Sequence, residues 1–260
     1  MNPFISIVVT THHRHELLEK ALDSIYKQDF DDFEIVLCTD EGSKETKSIA
    51  FNKLRTNDIF ISIPGLKGPA ELRNMGVQVA RGKWICFLDD DDSFSIDYLK
   101  NVVTYLNNEN TLYYFNYFIT ECNSHQNKAE IKKITKFINS ALTSEYLYIS
   151  NYIPIGSFII SKNTAKKHEF DKYLSTHEDW DWLLAIKKSE DIEFKYIDID
   201  SVNIYNYPDI SRNNPNDRNE ELCLDYLYIY RKWRSNTNTV QLQRKEILAN
   251  WKLEIDEKYL

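Results

Sequence analysis

The strongest constraint on this chain is the stretch Lys83-Trp84-Ile85-Cys86-Phe87-Leu88-Asp89-Asp90-Asp91-Asp92, a short apolar run that ends in four consecutive carboxylates. A short apolar run bounded by charge reads as a strand buried on both faces. The carboxylates cannot follow it inside, because each isolated charge is expensive to desolvate. They are expected to emerge at the carboxyl edge of a sheet, where open α/β sheets hold their ligands. Clustered hard oxygens there suit Mg2+ or Mn2+, with a phosphate-bearing substrate completing the shell. Capping a helix near Ser95-Ile96-Asp97-Tyr98 would also use acidic residues, but one or two serve that purpose.

The segments ahead of this stretch alternate in type. Phe4–Thr10, Phe33–Cys38 and Ile59–Ile63 have strand composition. Between the first two lies a helical pattern with Leu17, Leu18, Ala21, Leu22 and Ile25 on one face. Lys44–Leu54 is a second helical stretch, and Gly68-Pro69 opens a third with Leu72, Met75, Val79 and Ala80 inward. Strand and helix in alternation predict an α/β fold with a doubly wound, mostly parallel sheet. At 260 residues the chain suits residues 1–218 as one domain, with a 1–108 nucleotide-binding half and a 109–218 acceptor half. Residues 219–260 form a helical extension.

Right-handed crossovers bring successive strand ends to one edge of such a sheet. Three polar clusters meet there: Thr10-Thr11-His12-His13-Arg14, Asp40-Glu41-Gly42-Ser43 and Asp89–Asp92. This is the pattern of a nucleotide site, with Asp40 or Glu41 accepting hydrogen bonds from a base or ribose. Taken alone, Asp40–Ser43 equally reads as a turn and helix cap, and Arg14 as either a phosphate contact or a solvated first-turn residue. Neither a Gly-x-Gly-x-x-Gly fingerprint nor a Gly-Lys-Ser/Thr phosphate loop is present, which argues against a dinucleotide enzyme and a P-loop NTPase. The net charge of −8 argues against nucleic acid as the main partner. The four cysteines share no metal or redox spacing, so free thiols in a reducing compartment are expected.

Beyond Asp92 a helix is expected over Ser95–Asn107, then strands at Leu112–Thr120 and Ile131–Phe137 that pair across a polar turn. Ile155–Ile160 is a further strand candidate, in which Gly156-Ser157 either lets a ligand approach the backbone or marks a bulge. His177-Glu178-Asp179-Trp180-Asp181-Trp182 opens a helix, where the dipole keeps a carboxylate ionised. Such a carboxylate suits a general base for a hydroxyl nucleophile, although capping alone would use the same residues. Trp180 and Trp182 add aromatic platforms for a ring-shaped ligand. Glu193–Tyr205 alternates as a strand, and Asn206–Arg218 reads as a polar lid. The tail carries apolar residues with Arg231, Lys232, Arg234, Arg244 and Lys245; it reads as a helix packed on the core, with a peripheral membrane contact or a homo-oligomer interface as the alternative. The amino terminus has no basic leader and no run is long enough to span a bilayer, so a cytoplasmic protein is expected.

With these elements in place, the chain resembles family 2 glycosyltransferases of the inverting GT-A type from Ile5 to about Tyr207. The resemblance rests on Ser6-Ile-Val-Val-Thr-Thr-His-His-Arg14, Gln28, Phe33-Glu-Ile-Val36, Asp40-Glu-Gly-Ser43, Arg73-Asn-Met-Gly76, Gly82–Asp92 and Glu178-Asp179. It implies a nucleotide-diphosphate sugar donor, UDP-sugar favoured, and a glycan or lipid-linked glycan acceptor at the inner face of a membrane in bacterial surface polysaccharide synthesis. Carried over by position, Thr10, Asp40 and Glu41 line the base pocket and Asp89 sits near ribose or metal. Asp91 becomes the principal ligand of Mn2+ or Mg2+, and Asp179 the base. Arg14, Arg73 and Asp90 complete the expected nucleotide set, Glu178 supports Asp179, and Gly156, Ser157, Trp180 and Trp182 are expected to meet the acceptor. Two positions depart from the family: Glu41 stands where Asp is usual, and His12-His13 replace a common Tyr-Asn. A nucleotidyltransferase would want a Gly-rich phosphate loop after the first strand, which this chain lacks. A non-catalytic carbohydrate-binding protein would have no use for both acidic clusters.

Overall fold

The computed structural model describes residues 2–66, 68–124, 130–174, 176–189, 191–207, 219–235, 237–250 and 255, with the side chains of 219–222 outside that description. The expected lid is described only at Asn206 and Tyr207, since residues 208–218 lie outside the described residues.

The first half follows the alternation in the sequence. Strand β1 (Ile5–Thr11), helix α1 (His15–Tyr26), β2 (Phe33–Thr39), α2 (Lys44–Lys53), β3 (Ile59–Ser62), α3 (Gly68–Val79) and β4 (Trp84–Asp89) succeed one another. Every residue of β1 and β2 is buried, as a parallel strand covered on both faces requires. Side chains alternate across the sheet. Ile5, Ile7 and Val9 pack on the face covered by Leu18, Ala21, Leu22 and Ile25 of α1. Val8 packs on the opposite face with Leu72 and Val77 of α3. Parallel pairing sets Thr10 of β1 opposite Cys38 of β2 and Asp89 of β4, so the three strand ends share one edge. Gly76 is needed for that arrangement: a Cβ there would lie 2.4 Å from Val8 Cγ1, so only glycine lets α3 lie this close to β1.

The second half is built differently. β5 (Ser93–Phe94) and the five-residue helix α4 (Tyr98–Val102) stand where a long helix was expected. Three contacts draw the backbone out of the helix. Ser93-Phe94 pairs with the later strand at Val202 and Asn203. The Gln28 amide donates to Ser95 O at 2.9 Å, and its carbonyl accepts from Leu99 N at 3.0 Å. Asp97 sits in the left-handed region at φ 62°. β6 (Thr111–Cys122) and β7 (Ile131–Phe137) pair antiparallel as expected. Residues 155–157 form a single 3-10 turn, and only Phe158–Ser161 (β8) is strand. Next come α5 (Lys162–Ala165), α6 (Glu178–Lys188), β9 (Glu193–Asn206), α7 (Asn219–Lys232) and α8 (Asn238–Asn250).

The sheet order is β3-β2-β1-β4-β8-β6-β9-β5, with β7 paired to β6 off this path. β8 runs antiparallel to both β4 and β6, so the sheet passes unbroken from the first half of the chain into the second. The four cysteines are free and buried. The tail packs inward: Arg244 is fully buried and its guanidinium donates to Tyr148 O at 2.7 Å and Trp233 O at 2.7 Å.

Candidate active site

A cavity of about 530 Å³ opens at the carboxyl ends of β1, β2 and β4 and runs to the start of α6. Thr10, Arg14, Asp40, Arg73, Asp89 and Asp91 line one part, and Glu178 and Asp179 line the other. Residues expected to bind nucleotide, metal and acceptor proton therefore share one space.

At the β4 end each aspartate has its own environment. Asp89 Oδ1 accepts from Arg73 Nη2 at 2.7 Å and from Thr10 Oγ1 at 3.2 Å. Burial opposes its charge, but the Arg73 guanidinium outweighs burial and holds the carboxyl below the ordinary range. Asp90 is fully buried and turned away from the cavity: Thr11 Oγ1 donates to it at 2.7 Å, His12 N at 3.2 Å, and Arg14 Nε lies 3.1 Å away. Its expected nucleotide contact is corrected to a structural role, because its oxygens tie β4 to the β1 loop. Asp91 pairs with Arg14 Nη1, and Asp92 Oδ1 accepts from Tyr205 N at 3.1 Å. Burial and mutual repulsion raise the carboxyls of Asp91 and Asp92 above the ordinary range.

The oxygens of Asp89, Asp91 and Asp92 lie within 4.8 Å of one another. Three crowded hard donors, two of them disfavoured as anions by burial and by neighbouring carboxylates, fit a divalent cation of the Mg2+ or Mn2+ type. Asp92 was not singled out as a ligand from the sequence, though it belonged to the same run.

The β2 loop departs from expectation at Glu41. Asp40 lines the cavity and pairs with His12 Nδ1 at 2.6 Å. Glu41 is buried beneath it, where its carboxylate accepts from His13 N at 3.2 Å and from Thr46 Oγ1 and pairs with His13 Nδ1. Glu41 therefore does not line the cavity. The longer side chain reaches back to the α2 turn, and His12-His13 fasten the β1 loop to the β2 loop.

Arg73 joins the two ends of the cavity. It is 3% exposed, donates through Nη2 to Asp89 and pairs through Nη1 with Glu178. Glu178 is thus engaged, whereas Asp179 Oδ2 accepts from the Asn151 amide at 3.1 Å and Oδ1 from Trp180 N at 2.7 Å. Burial, reinforced by the charge of Glu178, lifts the Asp179 carboxyl to about 7. Asp181 is bound by Lys232 Nζ at 2.9 Å and Trp233 Nε1 at 2.7 Å, away from the cavity.

The expected acceptor residues are corrected. Trp180 and Trp182 are both fully buried. Their indoles donate to Leu147 O at 2.6 Å and His168 O at 3.0 Å, and Trp182 stacks on Phe170 at 4.6 Å. They are core residues: Trp182 packs on Phe87 and Phe158 of the sheet, while Trp180, two positions away on α6, packs against the 3-10 turn of residues 144–148 and the α7 rings. Gly156 and Ser157 do not line the cavity either. A Cβ at Gly156 would lie 2.9 Å from Val202 Cγ2, and Ser157 Oγ donates to Pro154 O at 2.8 Å, so both serve the close packing of this turn against β9. Asn151 and Tyr226 line the cavity instead, and neither carried a motif in the sequence.

The family model described as "Glycosyl transferase family 2" matches residues 6–168, more than half of the chain. The chain belongs to that family. A GalNAc(5)-diNAcBac-PP-undecaprenol beta-1,3-glucosyltransferase of Campylobacter jejuni subsp. jejuni is 41% identical over 93 residues, 35% of this chain and 30% of that relative. The chain thus matches under a third of the length of that relative. Two solved structures share the GT-A fold. S. aureus TarS 1-349 in complex with UDP-GlcNAc has a TM-score of 0.60 at 19% identity, covering 95% of this chain and 72% of that one. The mannosyltransferase PcManGT from Pyrobaculum calidifontis, in complex with GDP-Man and Mn2+, has a TM-score of 0.63 at 14% identity, covering 97% and 71%.

Proposed function

We propose that this family 2 glycosyltransferase moves a sugar, with inversion, from a nucleotide-diphosphate sugar to an acceptor hydroxyl. The carrying observation is that one cavity holds the aspartate cluster of β4 and, on its far side, Asp179 with its carboxyl poised near neutrality. A UDP-sugar is the favoured donor, in keeping with the UDP-GlcNAc held by the TarS structure. A glycan or lipid-linked glycan is the favoured acceptor, in keeping with the name of the Campylobacter relative, and surface polysaccharide synthesis is the setting. Among the described residues no helix is long and apolar enough to cross a membrane.

The acceptor oxygen attacks the anomeric carbon from the face opposite the diphosphate. A bond forms between them as the bond from that carbon to the diphosphate oxygen breaks, with its electron pair leaving on the diphosphate. Asp179 takes the proton of the acceptor hydroxyl, and Asn151 holds the carboxylate in place through its amide. Glu178, paired with Arg73, fixes the start of α6 relative to Asp89. Asp89 and Asp91, with Asp92 beside them, would hold Mg2+ or Mn2+, which when bound supplies positive charge to the leaving diphosphate. Arg14 lies at the same cluster as a fixed protein cation facing that leaving group.

Thermal stability measured with UDP or GDP, in Mn2+ or in EDTA, tests this reading. A rise in Tm with UDP and Mn2+ together is expected, since a ligand of the native state raises apparent stability. No rise with either nucleotide under any metal condition would contradict it.

A further inference from the structure

The tail beyond the family match contributes a wall of the site. Helix α7 starts about fifty residues after the matched segment ends at 168, yet its Tyr226 lines the cavity beside Asn151, Thr176, His177 and Asp179. The helix is fastened to the start of α6. Asp225 Oδ2 accepts from Thr176 N and Thr176 Oγ1, both at 2.7 Å. One helical turn further on, Tyr230 donates through its hydroxyl to Ile149 O at 2.7 Å. Lys232 and Trp233 then hold Asp181. The Tyr226 ring packs T-shaped against two neighbours, with centroids 4.9 Å from His177 and 4.8 Å from Trp180 at interplanar angles of 89° and 63°. Burial raises its phenol above the ordinary range, and the charge of Asp179 contributes, which puts the ring within the field of the proposed base.

We infer that Tyr226 is the platform for the acceptor sugar, and that the tail helix sets acceptor specificity. This deepens the sugar-transfer reading and rests on it. A pyranose presents an apolar face of C–H groups with hydroxyls around its rim. A half-buried aromatic ring held rigidly by other rings matches the face. Asn151, Thr176 and Asp179, within the same part of the cavity, match the rim. Aromatic stacking of this kind would place the attacking hydroxyl at Asp179 without touching the donor half, where Arg14, Asp89 and Asp91 lie. It also gives the chain the ring-shaped ligand surface that Trp180 and Trp182, buried in the core, do not supply.

The test measures UDP release from a UDP-sugar by the full chain with Mn2+. The acceptors are monosaccharides linked through a diphosphate to a short alkyl chain, and calorimetry of UDP is run in parallel. Tyr226→Ala and Tyr226→Leu should raise the acceptor KM at least tenfold, while Tyr226→Phe stays within twofold of the native protein. UDP affinity should stay within twofold in all three. Tyr226→Leu keeps apolar bulk against His177 and Trp180, so it separates loss of the ring from loss of packing. An acceptor KM within twofold for Tyr226→Leu, an equal loss in Tyr226→Phe, or a matching loss of UDP affinity would overturn the inference alone. Absence of UDP release by the native protein with every donor and acceptor would overturn the sugar-transfer reading, and this inference with it.

Discussion

Glu178 and Asp179 are neighbours in sequence with different chemistry, because Arg73 reaches one and not the other. Glu178→Gln keeps a hydrogen-bond acceptor for the guanidinium, so transfer should fall by less than about tenfold if Asp179 is the base. Arg73→Met is expected to be far more damaging to the fold. It would leave the buried Glu178 and the part-buried Asp89 without their cation, and breaking a buried pair costs about 3–5 kcal/mol, read as a lower denaturation midpoint in urea. The raised carboxyl of Asp179 has two consequences with opposite signs. Its folded value of about 7 lies above the ordinary carboxyl value, so the folded state holds a proton that the unfolded state has released. Stability is therefore lost as pH rises from the ordinary carboxyl range through about 7, while the ionised base accumulates over the same upper limb. Transfer should rise with pH through about 7. Asp179→Asn should be more stable than the native protein at pH 8 and equal to it near pH 3, as thermal melts at the two pH values would show.

At the scale of elements, the site depends on how closely α3 lies on β1. Gly76→Ala would push a methyl against Val8 in a packed interior, and overpacking of this kind costs about 1–3 kcal/mol. Because Arg73 sits one turn earlier on the same helix, the substitution should also weaken UDP binding, which calorimetry would detect. The first half of the fold was legible because parallel strands buried on both faces are continuous apolar runs and α1 shows its buried face in its spacing. Each departure from the sequence pattern has a physical cause. The helix after Asp92 gave way to side-chain contacts from Gln28 and to pairing with β9, both of them distant in sequence. The charges beside Trp180 and Trp182 suggest exposure, but the first turns of α6 are buried on more than one side, and both rings fill the core. Tyr226 and Asn151 carry no local signal at all; only the packing of α7 and of the loop before Pro154 brings them to Asp179.

Over the whole molecule, the strand ends hold the proposed donor residues, α6 and α7 hold the proposed acceptor residues, and Arg73 pairs with Asp89 on one side and Glu178 on the other. Removing a ligand from the donor side should therefore be separable from removing the base. Asp91→Asn takes one hard anionic donor from the proposed metal cluster and is expected to abolish metal-dependent UDP binding by calorimetry. The most direct measurement of the central claim is the sugar-transfer rate of Asp179→Asn, taken together with its UDP affinity in Mn2+. General-base catalysis contributes about 10²–10⁴-fold, so transfer should fall at least about a hundredfold while UDP affinity stays within twofold. Near-normal transfer by Asp179→Asn would contradict the account and move the proton to another group in the cavity.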